Sequence, residues 1–446
     1  MQERETIFAL SSGPGRAAVA VIRVSGSGAA AGLKALAGRM PAPRHASLAT
    51  LSDPESGEAL DRALALWFPG PASATGEDVA ELHIHGGRAV IDGVLEALGR
   101  LDGLRPAEPG EFTRRAFENG RLDLTAAEGI ADLVDAETAA QRRQALRQTD
   151  GALAGLYGSW RERLVRALAY LEAAIDFADE DLPEAVLEKA RPDLTTLADE
   201  IASHLDDDHR GQRLRDGISV AIVGAPNVGK SSLLNALARR EAAIVAESAG
   251  TTRDVIEVHL DLGGLPVVVA DTAGLRSLDP KDADPIEAEG IRRARARAET
   301  AELRIVVFDI ADPGNRDSLR MIDGRAIVAV NKIDLANAPT PDGIAGHDVA
   351  AISIKTGEGL PALLDRLTRA VADLLSGGDA PALTRTRHRQ ALEDCVGALG
   401  RARTAHLPEL AAEDARLAIR ALGRITGRVD VEDILDVIFR DFCIGK

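Results

Sequence analysis

The glycine-rich octet Gly224-Ala225-Pro226-Asn227-Val228-Gly229-Lys230-Ser231 follows the apolar run 218–223 and leads into a helical pattern at 232–240. Glycines at both ends of such a loop let the backbone turn tightly and aim its N–H groups at an anion, and a helix N-terminus behind them adds its dipole. The order strand, loop, helix is that of a phosphate cradle for a nucleoside triphosphate. Lys230 is expected on the β- and γ-phosphates and Ser231 on Mg²⁺, with Asn227, Val228, Gly229 and Ser232 completing the contact.

Further chemistry lies downstream. Asp271-Thr272-Ala273-Gly274 closes the run 267–270, which places a carboxylate at the Mg²⁺ shell and a glycine N–H at the γ-phosphate. Between it and the loop stands Gly250-Thr251-Thr252-Arg253-Asp254, where Thr252 is expected to complete the Mg²⁺ shell once the triphosphate orders the segment. Asn331-Lys332-Ile333-Asp334 follows the run 327–330, and a carboxylate there accepts from guanine N1 and N2, which adenine cannot match. Ser353-Ile354-Lys355 resembles the remaining base-contacting loop of GTPases. The nucleotide is therefore GTP. Leu275, directly after Gly274, has no group to orient an attacking water, so another residue must do so. Glu287 and Glu289 are candidates, against the alternative of a solvated helix face paired with Arg292 and Arg293.

Composition narrows the rest. A chain of 446 residues requires two or three domains, and a net charge of -17 excludes a broad basic surface for nucleic acid. Cys395 and Cys443 stand far apart, which supports neither a disulfide framework nor a CxxC metal site. The N-terminus lacks an apolar signal core, and no apolar run approaches the ~20 residues of a membrane helix, so a soluble, cytoplasmic protein is expected. His83 and His85 share a strand face without further ligands nearby and are expected to be structural. Arg142, Arg143 and Arg147, with Arg161, Arg163 and Arg166, are expected to pair with neighbouring glutamates, although they could touch RNA.

The elements that position these residues follow from hydrophobic period. Runs 17–24, 63–68 and 79–85 have strand period among Gly and Pro turns, which predicts an α+β domain to about residue 119. Stretches 126–149, 152–177 and 182–214 have helical period. From 218 to about 372, strands at 219–223, 267–270, 304–308, 327–330 and 350–353 alternate with helices, the pattern of a mainly parallel, doubly wound sheet. Helical period resumes at 387–399, 409–425 and 431–440, so the nucleotide domain is inserted in a helical one. The expected domains are 1–119, 120–216, 217–376 and 377–446, the second and fourth being two parts of one helical domain.

Segments 250–254 and 271–276 resemble the Era and MnmE branch of translation-factor-class GTPases, with a Ras-like P-loop G domain. The flanks decide between the branches. Residues 20–26, 75–81, His85-Gly86-Gly87, 109–117, 119–124 and the terminal Phe442-Cys443-Ile444-Gly445-Lys446 resemble the MnmE (TrmE) family of tRNA modification GTPases along the whole chain. That resemblance implies an N-terminal folate-binding and dimerising domain, a helical domain and an inserted G domain. It implies a homodimer that, in a heterotetramer with the flavoprotein MnmG, places a carboxymethylaminomethyl group on C5 of the tRNA wobble uridine. A 5-formyl- or methylene-tetrahydrofolate would supply the carbon unit.

Residue by residue, the resemblance lines the nucleotide with Ala246, Glu247, Ser248, Ala249, Gly250 and Thr251, puts Asn227 on K⁺ with backbone oxygens of Ala246, Ser248 and Thr251, and makes Glu287 the water-positioning glutamate. Arg253, Asp254 and Arg276 would support pairing of G domains. Arg23, Glu81, Arg121 and Lys446 match folate contacts, Arg121 standing where lysine is more familiar, which keeps the charge and changes the geometry. Cys443 could be a catalytic thiol near the folate or uridine, but no base for it is identifiable, and a positional or packing role is expected. The rival readings are an Era-like ribosome-assembly GTPase and a non-enzymatic folate-binding switch.

Overall fold

The computed structural model describes residues 5–176, 183–239, 243–244, 257–271, 300–336, 339–377, 381–429, 435, 438–440 and 442–445. In chain order, β1 (Thr6–Leu10), β2 (Ala17–Ser25), α1 (Ala29–Ala37), β3 (Ser47–Ser52), β4 (Ala59–Phe68), β5 (Val79–Gly86), α2 (Arg88–Gly99), β6 (Leu104–Pro106) and α3 (Glu111–Glu118) come first. Helices α4 (Leu124–Asp135), α5 (Ala139–Thr149), α6 (Ala152–Asp176), α7 (Pro183–Leu205) and α8 (Arg210–Asp216) follow. Next are β7 (Ile218–Gly224), α9 (Lys230–Ala238), β8 (Ala243–Ile244), β9 (Glu257–Leu262), β10 (Leu265–Asp271), β11 (Leu303–Asp309) and α10 (Arg316–Leu319). The last are β12 (Ala326–Asn331), β13 (Gly343–Ile344), β14 (His347–Ala351), α11 (Leu360–Leu375), α12 (Thr386–Thr404) and α13 (Pro408–Thr426).

Contacts divide the chain into two compact units, one of Met1–Ala131, Gln148–Arg191 and Thr404–Lys446, the other of Asp132–Arg147 and Pro192–Arg403. In the first unit a six-stranded sheet has the order β3-β4-β5-β2-β1-β6, antiparallel except for the β1–β6 pair. Period-2 alternation in β2 buries Ala20, Ile22 and Val24 beneath Leu33 and Leu36 of α1 and Val94 and Leu98 of α2. The opposite face carries a cross-strand row of Leu48, Leu64, His83 and Val21, in which Leu48 and Leu64 are exposed. Elsewhere in this unit α13 packs on α6. Its small side chains Ala411, Ala415 and Ala418 recur at helical spacing and are buried, as are Tyr157, Trp160 and Leu164 of α6.

The second unit holds a sheet of order β13-β14-β12-β11-β7-β10-β9-β8, parallel from β14 through β10. One face packs on α9 and α11 through Leu233, Leu237, Leu363, Leu367 and Val371. On the other lie Val306, Phe308, Val328 and Val330, with Leu319 of α10 against them. The fold is thus α/β and α multidomain with a doubly wound P-loop domain, as the alternation predicts.

Two helical stretches differ from their hydrophobic period. The stretch 126–149 breaks into α4 and α5 because Thr138 and Gln141 form a capping box. Gln141 Oε1 accepts from Thr138 N at 3.0 Å, and Gln141 N reaches Thr138 Oγ1 at 3.4 Å. The stretch 182–214 breaks into α7 and α8 at Asp208 and His209, whose φ values of 46° and 57° lie outside the helical region. The strand expected at 350–353 ends at Ala351, since Ser353 N and Gly357 N close a turn onto Glu358 O and Ser353 O.

Candidate functional site

The loops after β7, β11, β12 and β14 leave the carboxyl edge of the parallel sheet, where open α/β sheets bind ligands. Gly224 and Gly229 have φ of 147° and 106°, and a Cβ on either would collide, with Val307 O in the first case and with Asn331 Nδ2 in the second. Asn227, with φ of 63°, is exposed on the turn, and Ser231 and Ser232 are exposed on the first turn of α9. Lys230 is buried and folds back over the loop, its Nζ donating to Gly224 O at 3.1 Å and Ala225 O at 2.8 Å. Val228 is buried beneath the turn.

Asn331, buried at the end of β12, donates from Nδ2 to Val228 O at 2.8 Å and accepts on Oδ1 from Ile354 N at 3.2 Å. Lys332 donates to Asn227 O at 2.9 Å and to Asp309 Oδ2 at 2.6 Å. Burial opposes ionisation of Asp309, but hydrogen bonds from Lys332 and Ala311 N, with the Lys332 charge, outweigh it and hold the carboxyl below its usual range. Asp334, in the short 3-10 turn Ile333–Leu335, accepts from Ser353 Oγ at 2.7 Å, which orients one carboxylate oxygen. The loop of Ser353, Ile354 and Lys355 thereby lies against the 331–334 turn.

Sequence reasoning missed two residues here. Asp309 anchors Lys332, and Ser318 Oγ, fully buried on α10, accepts from Ala225 N at 3.0 Å. Asp309 was detectable as a carboxylate closing a parallel strand, whereas Ser318 carries no local signal. Asp271 ends β10 in register with Ile222. Thr272, Ala273, Gly274, Ala246, Glu247, Ser248, Ala249, Gly250, Thr251, Thr252, Glu287 and Glu289 lie outside the described residues.

In the first unit, Arg23 and Glu81 are register partners on β2 and β5, and Arg23 Nε and Nη2 donate to Glu81 Oε1 at 3.0 and 2.9 Å. The Arg23 guanidinium lies 5.8 Å from the Phe112 ring centroid of α3, and His83 Nε2 is 3.3 Å from Glu81 Oε2. Two residues along β2, Ser25 Oγ meets Thr75 Oγ1 at 2.7 Å and donates to Glu77 Oε2 at 2.8 Å. The same turn lies against Arg121, whose Cγ a Cβ on Gly76 would approach to 3.2 Å. The terminal segment reaches this domain too: Ile444 bridges Pro109, Ser11 Oγ donates to Gly445 O at 2.8 Å, and Cys443 is exposed. Lys446 lies outside the described residues. His85 Nδ1 is 2.8 Å from Asp61 Oδ1, and among the described residues no set of His, Cys, Asp and Glu could hold a metal.

A backbone cradle that a Cβ would fill, with an ammonium and two hydroxyls at a helix N-terminus, fits a triphosphate and Mg²⁺.

Comparisons with known proteins agree along the chain. Residues 6–121 match the family described as the GTP-binding protein TrmE N-terminus, and residues 124–443 match the MnmE helical domain. The tRNA modification GTPase MnmE of Parvibaculum lavamentivorans is 60% identical over 449 residues, covering 99% of this chain and 100% of the relative. That of Paramagnetospirillum magneticum is 60% identical over 445 residues, with coverage of 99% and 100%. The Rhodospirillum rubrum relative is 58% identical over 456 residues and 99% of each chain.

Proposed function

The chain belongs to the MnmE family of tRNA modification GTPases, and on that premise we propose that it is a K⁺-stimulated GTPase that modifies the tRNA wobble uridine with a flavoprotein partner, MnmG. The product carries a carboxymethylaminomethyl group at C5, its carbon unit coming from 5-formyl- or methylene-tetrahydrofolate. The observation that carries the reading is the convergence of the 224–231 loop with Asn331, Lys332 and Asp334 at one sheet edge, in a chain that matches the family on both sides of that sheet. An Era-like ribosome-assembly role has no comparable support.

Loop N–H groups and Lys230 meet the β- and γ-phosphate charge, while Asp334, oriented by Ser353, accepts from the guanine edge. Ser231 and Thr252 would hold Mg²⁺. Asn227, with backbone oxygens of Ala246, Ser248 and Thr251, would hold K⁺; bound there, these cations offset charge that develops on the transferred phosphoryl group. Glu287 positions the water in place of the residue that Leu275 cannot supply. Arg23, Glu81, Arg121 and Lys446 form the folate site, in which cations suit a glutamate tail and a carboxylate suits pterin donors.

The homodimer is supported by the exposed Leu48 and Leu64 pair at the β3–β4 edge of the first sheet, on the face opposite α1 and α2. Among the described residues no helix is long and apolar enough to cross a membrane. Nucleoside mass spectrometry of tRNA from cells lacking the protein tests the function: loss of the modified wobble uridine is expected, and its persistence would defeat the reading.

A further inference from the structure

Helix α5 contains no acidic residue and carries Arg142, Arg143 and Arg147 at exposed positions. With 3.6 residues per turn these three and the exposed Leu146 share one face, while Ala145 and Gln148 are buried on the other. Sequence spacing predicts carboxylate partners for them. Among the described residues none of the three forms an ion pair, whereas Arg213, Arg215 and Arg385 of the same unit all do. A net charge of -17 repels a polyanion from the chain as a whole, so a local face of three cations without carboxylate partners is where an anionic polymer finds complementary charge.

The helix is also braced. Its capping box fixes the first turn, Gln141 Nε2 donates to Arg215 O at 2.9 Å, and Ala140 N donates to Gly264 O at 3.0 Å. Just before it, Glu137 Oε2 lies 2.8 Å from His259 Nδ1 on β9. The arginine face therefore stands on a backbone tied to the β9–β10 hairpin, which joins the two segments expected to sense the γ-phosphate.

We propose that the Arg142, Arg143 and Arg147 face of α5 is a docking surface for the phosphate backbone of tRNA. The proposal rests on the tRNA modification reading. The guanidinium groups sit on phosphates, as Arg does wherever forked recognition of such oxygens is needed, and carry no base readout. Binding through three phosphate contacts makes the affinity salt-dependent, because each contact releases counterions.

The test uses the full-length protein, an unmodified tRNA transcript with uridine at the wobble position, and fluorescence anisotropy over a series of KCl concentrations. Replacing all three arginines by glutamine keeps helix propensity, so the melting temperature and the GTPase rate without tRNA stay unchanged. That variant is expected to lose about tenfold or more in tRNA affinity, and the slope of log K against log salt falls by about two to three. Lysine at the three positions restores most of the slope, since counterion release depends on charge. Wild-type affinity and slope in the glutamine variant would overturn the surface, as would absence of salt-dependent tRNA binding by the wild type. So would a variant that binds tRNA normally but loses a protein partner. If cells lacking the protein keep their modified uridine, the tRNA modification reading fails instead, so the two failures are distinguishable.

Discussion

The Asn331 side chain donates to the Val228 carbonyl across 2.8 Å while accepting from Ile354 N at 3.2 Å, so one buried amide ties the loop after β7 to those after β12 and β14. Asn331→Ala leaves a carbonyl and an N–H without their partner in a place where water has little access. Each such group costs about 1–3 kcal/mol. GTP affinity measured by calorimetry is expected to fall at least about tenfold, by ~1.4 kcal/mol or more. Affinity within twofold of the wild type would show that the loops hold their geometry without the amide.

Asp334 accepts from Ser353 Oγ at 2.7 Å, and in the proposed function its carboxylate accepts from the guanine edge. Asp334→Asn converts part of that acceptor into a donor, and xanthine offers the complementary polarity where guanine offers donors. Competition binding is expected to show preference for xanthosine triphosphate over GTP. Retained GTP selectivity would sink the guanine argument.

What the chain reveals without a structure depends on how local the information is. The 224–231 loop and the 331–334 turn are legible as elements because their spacing along the chain is itself the geometry. The pairs that hold them are not: Asp309 reaches Lys332 across 23 positions and Ser318 reaches Ala225 across 93, distances over which no periodicity carries. Strand β1 is buried at four successive positions and so lacks alternation, and β6 has only 3 residues. Likewise the break between α4 and α5 lies in one capping box, which an apolar period passes over. Arg23 and Glu81 are separated by 58 positions, and only their strand register brings them together.

Glu111 opens α3 inside a cage of donors. Its Oε1 accepts from Arg105 at 2.7 Å and Arg115 at 2.9 Å, and its Oε2 from Glu108 N at 2.9 Å. Burial opposes its charge, but these hydrogen bonds and the Arg115 charge outweigh it and lower the carboxyl from 4.5 to about 2. A folded-state pKa below the unfolded one means that ionised Glu111 stabilises the fold fully above 4.5, and that this is lost as pH falls from there through about 2. Glu111→Gln is expected to cost about 1–2 kcal/mol at neutral pH, after allowance for solvent screening of a partly buried group. Denaturant midpoints should converge with the wild type as pH drops through that window. A gap that stays constant with pH would mean that the carboxylate charge contributes nothing.

The two cysteines differ in environment enough to be separated by reactivity. Cys395 is fully buried on α12, where burial, with a smaller contribution from Asp394, pushes its thiol up to about 12. Cys443 is exposed in the terminal segment, beside Gly110, whose N–H reaches the Cys443 carbonyl at 3.4 Å. The thiolate is the reacting species, so near pH 8 the buried thiol presents only about one part in ten thousand of it, besides being closed to reagent. Titration of the native protein with a thiol-exchange reagent is expected to release one equivalent quickly. Cys443→Ser should abolish that phase and leave Cys395 to react only after denaturation. A fast equivalent that persists in Cys443→Ser would mean that α12 opens far more readily than its packing implies.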